Sequence, residues 1–167
     1  VIGVACAILG AVTPITLTAA GFAPYYTYTG DLAVGGTVGP MTTAGTAQTF
    51  YYSLTGLDPA CSSGPGSAGN SCGVHIHSGT TCTGDAGGHY YTGSVTSDPW
   101  TSDAYTSASD GTASATLTVS TGGEAADVSG RAFIVHAHDG SRIACAILGA
   151  MAEVALTAAG FVPYYSY

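Results

Sequence analysis

Hydrophobic and polar residues alternate along most of this chain with the two-residue period of β-strands. Residues 48–54 are the clearest example, and residues 112–119 alternate Ala, Leu and Val with Ser and Thr, as a half-buried strand does. Residues 132–135 form a short apolar run that predicts a buried strand leading into His136. Helical periodicity is weak throughout. The pattern therefore predicts an all-β fold.

Turn signals divide the candidate strands. A strand-like stretch covers residues 27–38 and ends at the turn signal Gly39-Pro40. Further signals lie at residues 56–59 and 110–111. A chain of 167 residues, 46% of them hydrophobic, is long enough for one domain with a substantial core.

Charged residues are scarce and mostly acidic. The chain has ten Asp and Glu residues, two arginines (Arg131 and Arg142) and no lysine, which gives a formal net charge of -8. So few cations argue against nucleic-acid binding, because almost nothing neutralises phosphates, and they provide no polybasic patch for anionic lipid. Such a chain repels an anionic substrate at long range, so a cation that guides one must act locally.

The five cysteines point to disulfides. They are Cys6, Cys61, Cys72, Cys82 and Cys145, and none belongs to a Cys-x-x-Cys pair, which argues against a zinc ribbon or a thioredoxin-type site. Cys61 and Cys72 flank a glycine-rich loop and are expected to pair with each other. Paired cysteines in a lysine-free chain rich in Ser and Thr predict a secreted, extracellular protein.

Two histidines one residue apart suggest a metal site. Residues two apart on a strand point to the same face, so the rings of His75 and His77 can reach one point. The alternative is a surface pair on an edge strand. Three more histidines follow, namely His89 after a Gly-Gly pair, His136 at the end of the apolar run, and His138.

The order of these residues resembles a known metal centre. Along the chain come His-x-His, a cysteine, Gly-His, an apolar strand ending in His, and then Gly-Ser-Arg-x-Ala-Cys. This order is similar to the copper site and disulfide of the copper/zinc superoxide dismutases, and in particular of their copper-only members. The resemblance covers residues 25–150.

The resemblance implies a role for individual residues. The copper ligands would be His75, His77, His89 and His136, the disulfide would join Cys82 to Cys145, Arg142 would guide the anion to copper, and His89 and Arg142 would be the catalytic residues. It also implies a Greek-key β-sandwich or flattened barrel of about eight strands. Such a domain would disproportionate superoxide to oxygen and hydrogen peroxide.

Two departures from the zinc-containing members favour the copper-only subgroup. Residues 90–120 contain no histidine, so the family's zinc site cannot be built and no zinc is expected. The long charged loop that precedes the arginine in the family is reduced to residues 137–141. Both losses leave the copper more open to solvent.

The sequence leaves three questions about the predicted site, namely the partner of His89 and the positions of His138 and Trp100. Without zinc, His89 needs a carboxylate or a water molecule on its other ring nitrogen. The candidate carboxylates are Asp98, Asp103 and Asp110. His138 has no counterpart in the family and is expected to be a solvent-exposed loop histidine. Trp100 is either a lid on the core or an exposed contact.

The two ends of the chain repeat one another. Residues 1–23 are nearly all apolar or small and carry no charge, so alone they resemble a signal-peptide core or a membrane span. However, residues 5–11 recur unchanged at 144–150, and residues 17–22 recur at 156–161. Self-similarity of this kind is typical of a tandem repeat, so no membrane association is expected.

The repeat predicts the domain organisation. Residues 24–150 form the dismutase-like domain, residues 1–23 a repeat-derived last strand and linker, and residues 151–167 a linker and the start of the next repeat. There are three alternatives for residues 1–23. The chain is a piece of a longer array of repeats, the segment is a strand that completes a neighbouring molecule, or it is an ordered tail that packs on its own domain. In a neighbouring unit, Cys6 would bridge to the counterpart of Cys82.

The repeat also supports a second class of function. A unit with a surplus terminal strand, an odd cysteine and Thr/Ser-rich loops describes a building block of an extracellular fibre or filament. In that interpretation the dismutase fold is a scaffold and the copper site is vestigial. The expected partners are therefore superoxide and either further copies or neighbouring repeats, joined through terminal strands.

Overall fold

A computed structural model describes residues 16–151, and Cys6 lies outside that range. Its strands are β1 (Leu17–Ala20), β2 (Ala23–Pro24), β3 (Gly35–Ala44), β4 (Ala47–Thr55), β5 (Val74–Ile76), β6 (Ala113–Ser120), β7 (Ala132–His136), β8 (Arg142–Ile147) and β9 (Gly149–Ala150). A 3₁₀ helix (Pro59–Ser63) and one short α-helix, α1 (Ala125–Val128), lie in the connections. The predicted all-β fold is confirmed.

The strands form two antiparallel sheets that pack as a sandwich. One sheet has five strands in the order β6-β4-β3-β1-β9, and the other has four in the order β2-β8-β7-β5. The chain changes sheet repeatedly, so strands that are distant in sequence become neighbours. The sheets do not close into a barrel, and of the two predicted forms the sandwich is the one observed.

The core between the sheets follows from the alternation in the sequence. Along β4, Phe50, Tyr52 and Leu54 are buried, whereas Tyr51 is exposed. The facing sheet contributes Phe133 of β7, whose ring meets that of Phe50 edge to face with centroids 5.6 Å apart. Burial of these apolar side chains holds the two sheets together and gives the opposite face of β7 a rigid support.

The predicted turn at Gly39-Pro40 is wrong. Both residues lie inside β3, and the pairing of β3 with β4 shifts register between Val38 and Met41. Proline cannot donate a ladder hydrogen bond, and the bulge accommodates it within the strand. Residues 27–34, predicted as strand, are irregular.

The two ends of the described chain lie side by side. β1 pairs with β3 on one side and with β9 on the other, and the Met151 amide donates to the Thr16 carbonyl at 2.9 Å. The last part of segment 1–23 therefore belongs to the five-stranded sheet through β1 and, through Ala23, to the four-stranded sheet. Within residues 16–151, no helix has the length and apolarity needed to cross a bilayer.

Two disulfides cross-link the sandwich. Cys61 is bonded to Cys72, and Cys82 is bonded to Cys145. The second bridge joins the loop after β5 to β8 across a sequence separation of 63, which contributes about 4 kcal/mol on the chain-entropy model. Disulfides indicate an oxidising environment rather than the reducing cytosol.

Candidate metal centre

The predicted metal ligands lie on the face of the four-stranded sheet that is turned away from the core. Ile76 of β5 points into the sandwich, so His75 and His77 on either side of it point to the opposite face. His136 ends the neighbouring strand, β7. A loop returns over this face and brings His89 beside His77 through an isolated antiparallel bridge.

The rings of His75, His77, His89 and His136 meet at one place. One ring nitrogen of each histidine lies within 4.8 Å of the corresponding nitrogens of the other three. The Nε2 atoms of His77 and His136 are 3.5 Å apart. Bonds of about 2 Å to a tetrahedral ion separate its ligand atoms by about 3.3 Å, so a small movement lets all four histidines share one ion.

Hydrogen bonds on the far side of three rings determine which nitrogen faces the centre. Nδ1 of His77 donates to a backbone carbonyl at 2.9 Å, and Nδ1 of His136 donates to the Gly140 carbonyl at 2.9 Å. Nδ1 of His89 donates to the Asp98 carboxylate at 2.7 Å. Because these acceptors carry no hydrogen, each Nδ1 must hold the proton and each Nε2 keeps a free lone pair.

His75 is oriented the other way round. Its Nε2 donates to the Asp103 backbone carbonyl at 3.0 Å, which leaves the lone pair on Nδ1. That Nδ1 is buried and has no hydrogen-bond partner within residues 16–151. A buried nitrogen without a partner is costly, and a metal ion at the centre of the four rings would satisfy it.

Burial and neighbouring groups keep three of the four rings neutral. Burial, with a smaller contribution from the neighbouring His136, lowers the pKa of His75 to about 2. Burial also lowers the pKa of His77 to about 3 and that of His136 to about 4, and Arg142 contributes to both shifts. Neutral imidazole is the form that binds metal ions, so these three rings are ready to coordinate at neutral pH.

The Arg142 guanidinium lies beside the histidines and shares a backbone acceptor with one of them. Its Nη2 donates to the Gly87 carbonyl at 2.6 Å, and the same oxygen accepts from Nδ1 of His77. Its Nη1 donates to the Tyr25 hydroxyl at 2.7 Å and to the Asp85 carboxylate at 2.9 Å. The cation is thus held at a fixed position next to the candidate centre.

Of the three candidate carboxylate partners of His89, the structure uses Asp98. One oxygen accepts from His89, and the other accepts from the Trp100 amide at 2.9 Å. Trp100 is fully buried, and its indole N–H donates to the Tyr90 carbonyl at 2.8 Å. Trp100 is therefore a core residue, and its backbone orients the carboxylate that orients His89.

Asp110 and His138 lie outside the centre. The Asp110 carboxylate accepts from the amide and hydroxyl of Thr112 in its own turn. His138 is half-buried, not exposed as predicted, and its amide donates to the Asp58 carboxylate at 2.9 Å. Because β7 ends at His136, the two-residue alternation does not carry His138 into the cluster.

Sequence reasoning missed the residues that hold Arg142. Tyr25 and Asp85 are 60 positions apart in sequence. They meet only because the loop between β5 and β6, which also carries His89, folds back over the start of the domain. The Gly87-Gly88 pair before His89 was the one visible signal, since glycine lets a backbone pass close to a packed site.

A scan against models of protein families found no match, and a search of curated proteins found no relative. The functional argument therefore depends on the residues of this chain and their geometry. The four-histidine group can bind a metal ion, and imidazole ligands suit zinc, copper, iron and nickel.

Removing the carboxylate behind His89 tests the centre. We expect Asp98→Ala to weaken the binding of Cu²⁺ or Zn²⁺ by about 10- to 100-fold, because His89 loses the acceptor that holds its tautomer and orientation. Competition with a chromophoric chelator measures the affinity. Asp103→Ala is the matched control, since Asp103 serves His75 through its backbone carbonyl. Equal losses in the two variants would contradict the assignment.

Acid should destabilise the metal-free protein. The folded pKa values of His75, His77 and His136 lie below the ordinary value of 6.5, so the unfolded chain binds more protons as the pH falls. Their contribution to stability is therefore fully present above about pH 6.5 and is lost as the pH falls through the folded pKa values of about 4, about 3 and about 2, at up to about 1.4 kcal/mol per pH unit for each histidine. Urea unfolding at a series of pH values, with a chelator present, measures the slope of the free energy of unfolding against pH.

A His77→Gln variant provides the comparison for that slope. It should lose about one third of the pH dependence, because one of the three depressed histidines is gone. A free energy of unfolding that stays constant from pH 7 to pH 5 would rule out this interpretation.

Proposed function

We propose that this chain is a secreted, copper-only superoxide dismutase-like domain that converts superoxide to oxygen and hydrogen peroxide. The observation that carries the proposal is the convergence of four imidazole lone pairs beside a fixed guanidinium. The order of the same residues in the sequence resembles the copper site of that family. The two disulfides support an oxidising, extracellular location.

Copper suits the donor set. Four imidazoles provide an all-nitrogen site, and among divalent first-row ions Cu²⁺ binds such ligands most tightly. The buried Nδ1 of His75, which has no hydrogen-bond partner among residues 16–151, supports a metal at this position. His77, His89 and His136 would contribute Nε2, as their hydrogen bonds dictate. When bound, copper supplies the alternation between Cu(II) and Cu(I) by which one superoxide is oxidised and the next is reduced.

Arg142 would bind the anion next to the metal. The net charge of -8 opposes the approach of an anion at long range, so capture depends on a local cation. Three hydrogen bonds leave the Nε hydrogen and the second Nη2 hydrogen of Arg142 without a partner in residues 16–151. Two such hydrogens form a fork for a small anion, which a lysine ammonium cannot present.

Asp98 would take over the orienting role that zinc has in the zinc-containing enzymes. It accepts from Nδ1 of His89, the nitrogen that is directed away from the centre. No second metal is part of the proposal. The second oxygen of Asp98 accepts instead from the amide of the buried Trp100, whose indole donates to the Tyr90 carbonyl.

Loading with copper tests the function directly. We expect the copper-loaded protein to accelerate the decay of superoxide and the metal-free or zinc-loaded protein to leave it unchanged. Arg142→Lys should lower the rate constant by about tenfold, because the forked contact is lost. Decay after a pulse of superoxide, followed by its ultraviolet absorbance, gives the rates.

Arg131→Lys is the matched control for that experiment. Arg131 donates to the Ser78 carbonyl and lies over the Tyr90 ring, so its replacement should leave the rate unchanged. Equal decay rates with and without copper would refute the dismutase proposal.

A structural role in an extracellular fibre or filament is the second candidate. It is favoured by the repeated terminal sequences and by the position of β1 and β9, which bring the two ends of the described chain to one edge of a sheet. Sedimentation at falling protein concentration tests it. Association into species larger than a dimer supports the filament, and a monomer at every concentration contradicts it.

A further inference from the structure

The proposed function relies on the Arg142 guanidinium, which already forms an ion pair with the Asp85 carboxylate. Oδ1 of Asp85 lies 2.9 Å from Nη1 of Arg142, and within residues 16–151 this is the only ion pair between an arginine and a carboxylate. The Asp85 side chain is 69% exposed and that of Arg142 27% exposed. An anion that approaches Arg142 from solvent therefore meets a negative charge next to its binding site.

The position of this carboxylate is determined by several donors. Oδ1 of Asp85 accepts from the Gly87 amide at 3.0 Å and from the Tyr25 hydroxyl at 3.2 Å. Tyr25 is itself buried, and its oxygen accepts from the Ala86 amide and from Arg142. The Gly87 amide, and then Arg142 and Tyr25, lower the pKa of Asp85, so the carboxylate stays charged at neutral pH.

No other cation of the described chain offsets that charge. Arg131 is the only other basic residue, apart from the histidines, and it is engaged with the Asp127 and Ser78 carbonyls and the Tyr90 ring. Repulsion from Asp85 scales with the charge of the incoming anion. A divalent anion is therefore opposed twice as strongly, in free energy, as a monovalent one.

We propose that Asp85 determines which anions reach Arg142: it admits small monovalent anions and excludes divalent ones such as sulfate and hydrogen phosphate. The inference rests on the proposed function in one respect, since superoxide is a small monovalent anion. Divalent oxyanions bind guanidinium groups well, and without Asp85 they would compete for the same two hydrogens.

Asp85→Asn separates the charge from the geometry. The amide oxygen of asparagine still accepts from Gly87, Tyr25 and Arg142, while the negative charge is removed. Nitrate and sulfate are titrated into the metal-free protein at constant ionic strength, and the Nε–Hε NMR signal of Arg142 reports binding. Nitrate should bind roughly three- to tenfold more tightly to the variant, and sulfate by roughly the square of that factor.

Two control variants test whether the lost charge of Asp85 causes the tighter binding of anions. Asp31→Asn removes the same charge from an exposed residue that makes no hydrogen bond or ion pair within residues 16–151, and it should leave both affinities unchanged. Tyr25→Phe loosens the same contacts without changing the charge, and it should not favour sulfate over nitrate. Equal gains for the two anions in Asp85→Asn, a matching gain in either control, or no sulfate binding to Asp85→Asn would overturn the inference.

The outcome is independent of copper. The titration uses no metal, so a sulfate-selective gain stands even if the copper-loaded protein fails to remove superoxide. Conversely, equal gains for nitrate and sulfate in a protein that does remove superoxide would reject the role of Asp85 and leave the dismutase proposal intact.

Discussion

One backbone oxygen, the carbonyl of Gly87, fixes His77 of the four-histidine group and the Arg142 guanidinium relative to each other. It accepts from Nδ1 of His77 and from Nη2 of Arg142, and a carbonyl oxygen has two lone pairs with which to do so. Gly87 has a φ of 71°, in the left-handed region that favours glycine, and a Cβ there would displace the Ser78 hydroxyl. A shift of this carbonyl would move His77 and Arg142 together.

The loop that carries Gly87 is anchored on both sides, which is why one oxygen can serve as a reference point. The disulfide from Cys82 to Cys145 attaches its beginning to β8. Gly79 and Ala86 pair across it, with an amide-to-carbonyl distance of 2.7 Å, and Ala86 is buried against the sheet. The candidate centre therefore lies between a rigid sheet face and a loop that a disulfide attaches to that sheet. This attachment fixes the distances between the loop residues and the histidines of the sheet.

The parts of the centre that the sequence revealed are those that depend on side-chain identity and local periodicity. The alternation of strands predicts that His75 and His77 share a face, and the apolar run predicts that His136 ends a buried strand. The carbonyls of Gly87 and Asp103 could not be anticipated, because every residue has a carbonyl and only the fold decides where it points. The same limit applies to the fold, since register and bulges depend on tertiary pairing.

Asp98 and Trp100 show how hydrogen bonds from the core orient His89, which lies in the loop between β5 and β6. The Asp98 carboxylate accepts from Nδ1 of His89, the ring nitrogen that is directed away from the other three histidines. A carboxylate left free to rotate would fix the ring poorly, but the Trp100 amide holds its second oxygen, and the buried indole fixes that amide. Two hydrogen bonds, from the Trp100 amide to Asp98 and from His89 to Asp98, thus connect the packed core to the His89 ring. The orientation of this ring therefore depends on the stability of the domain.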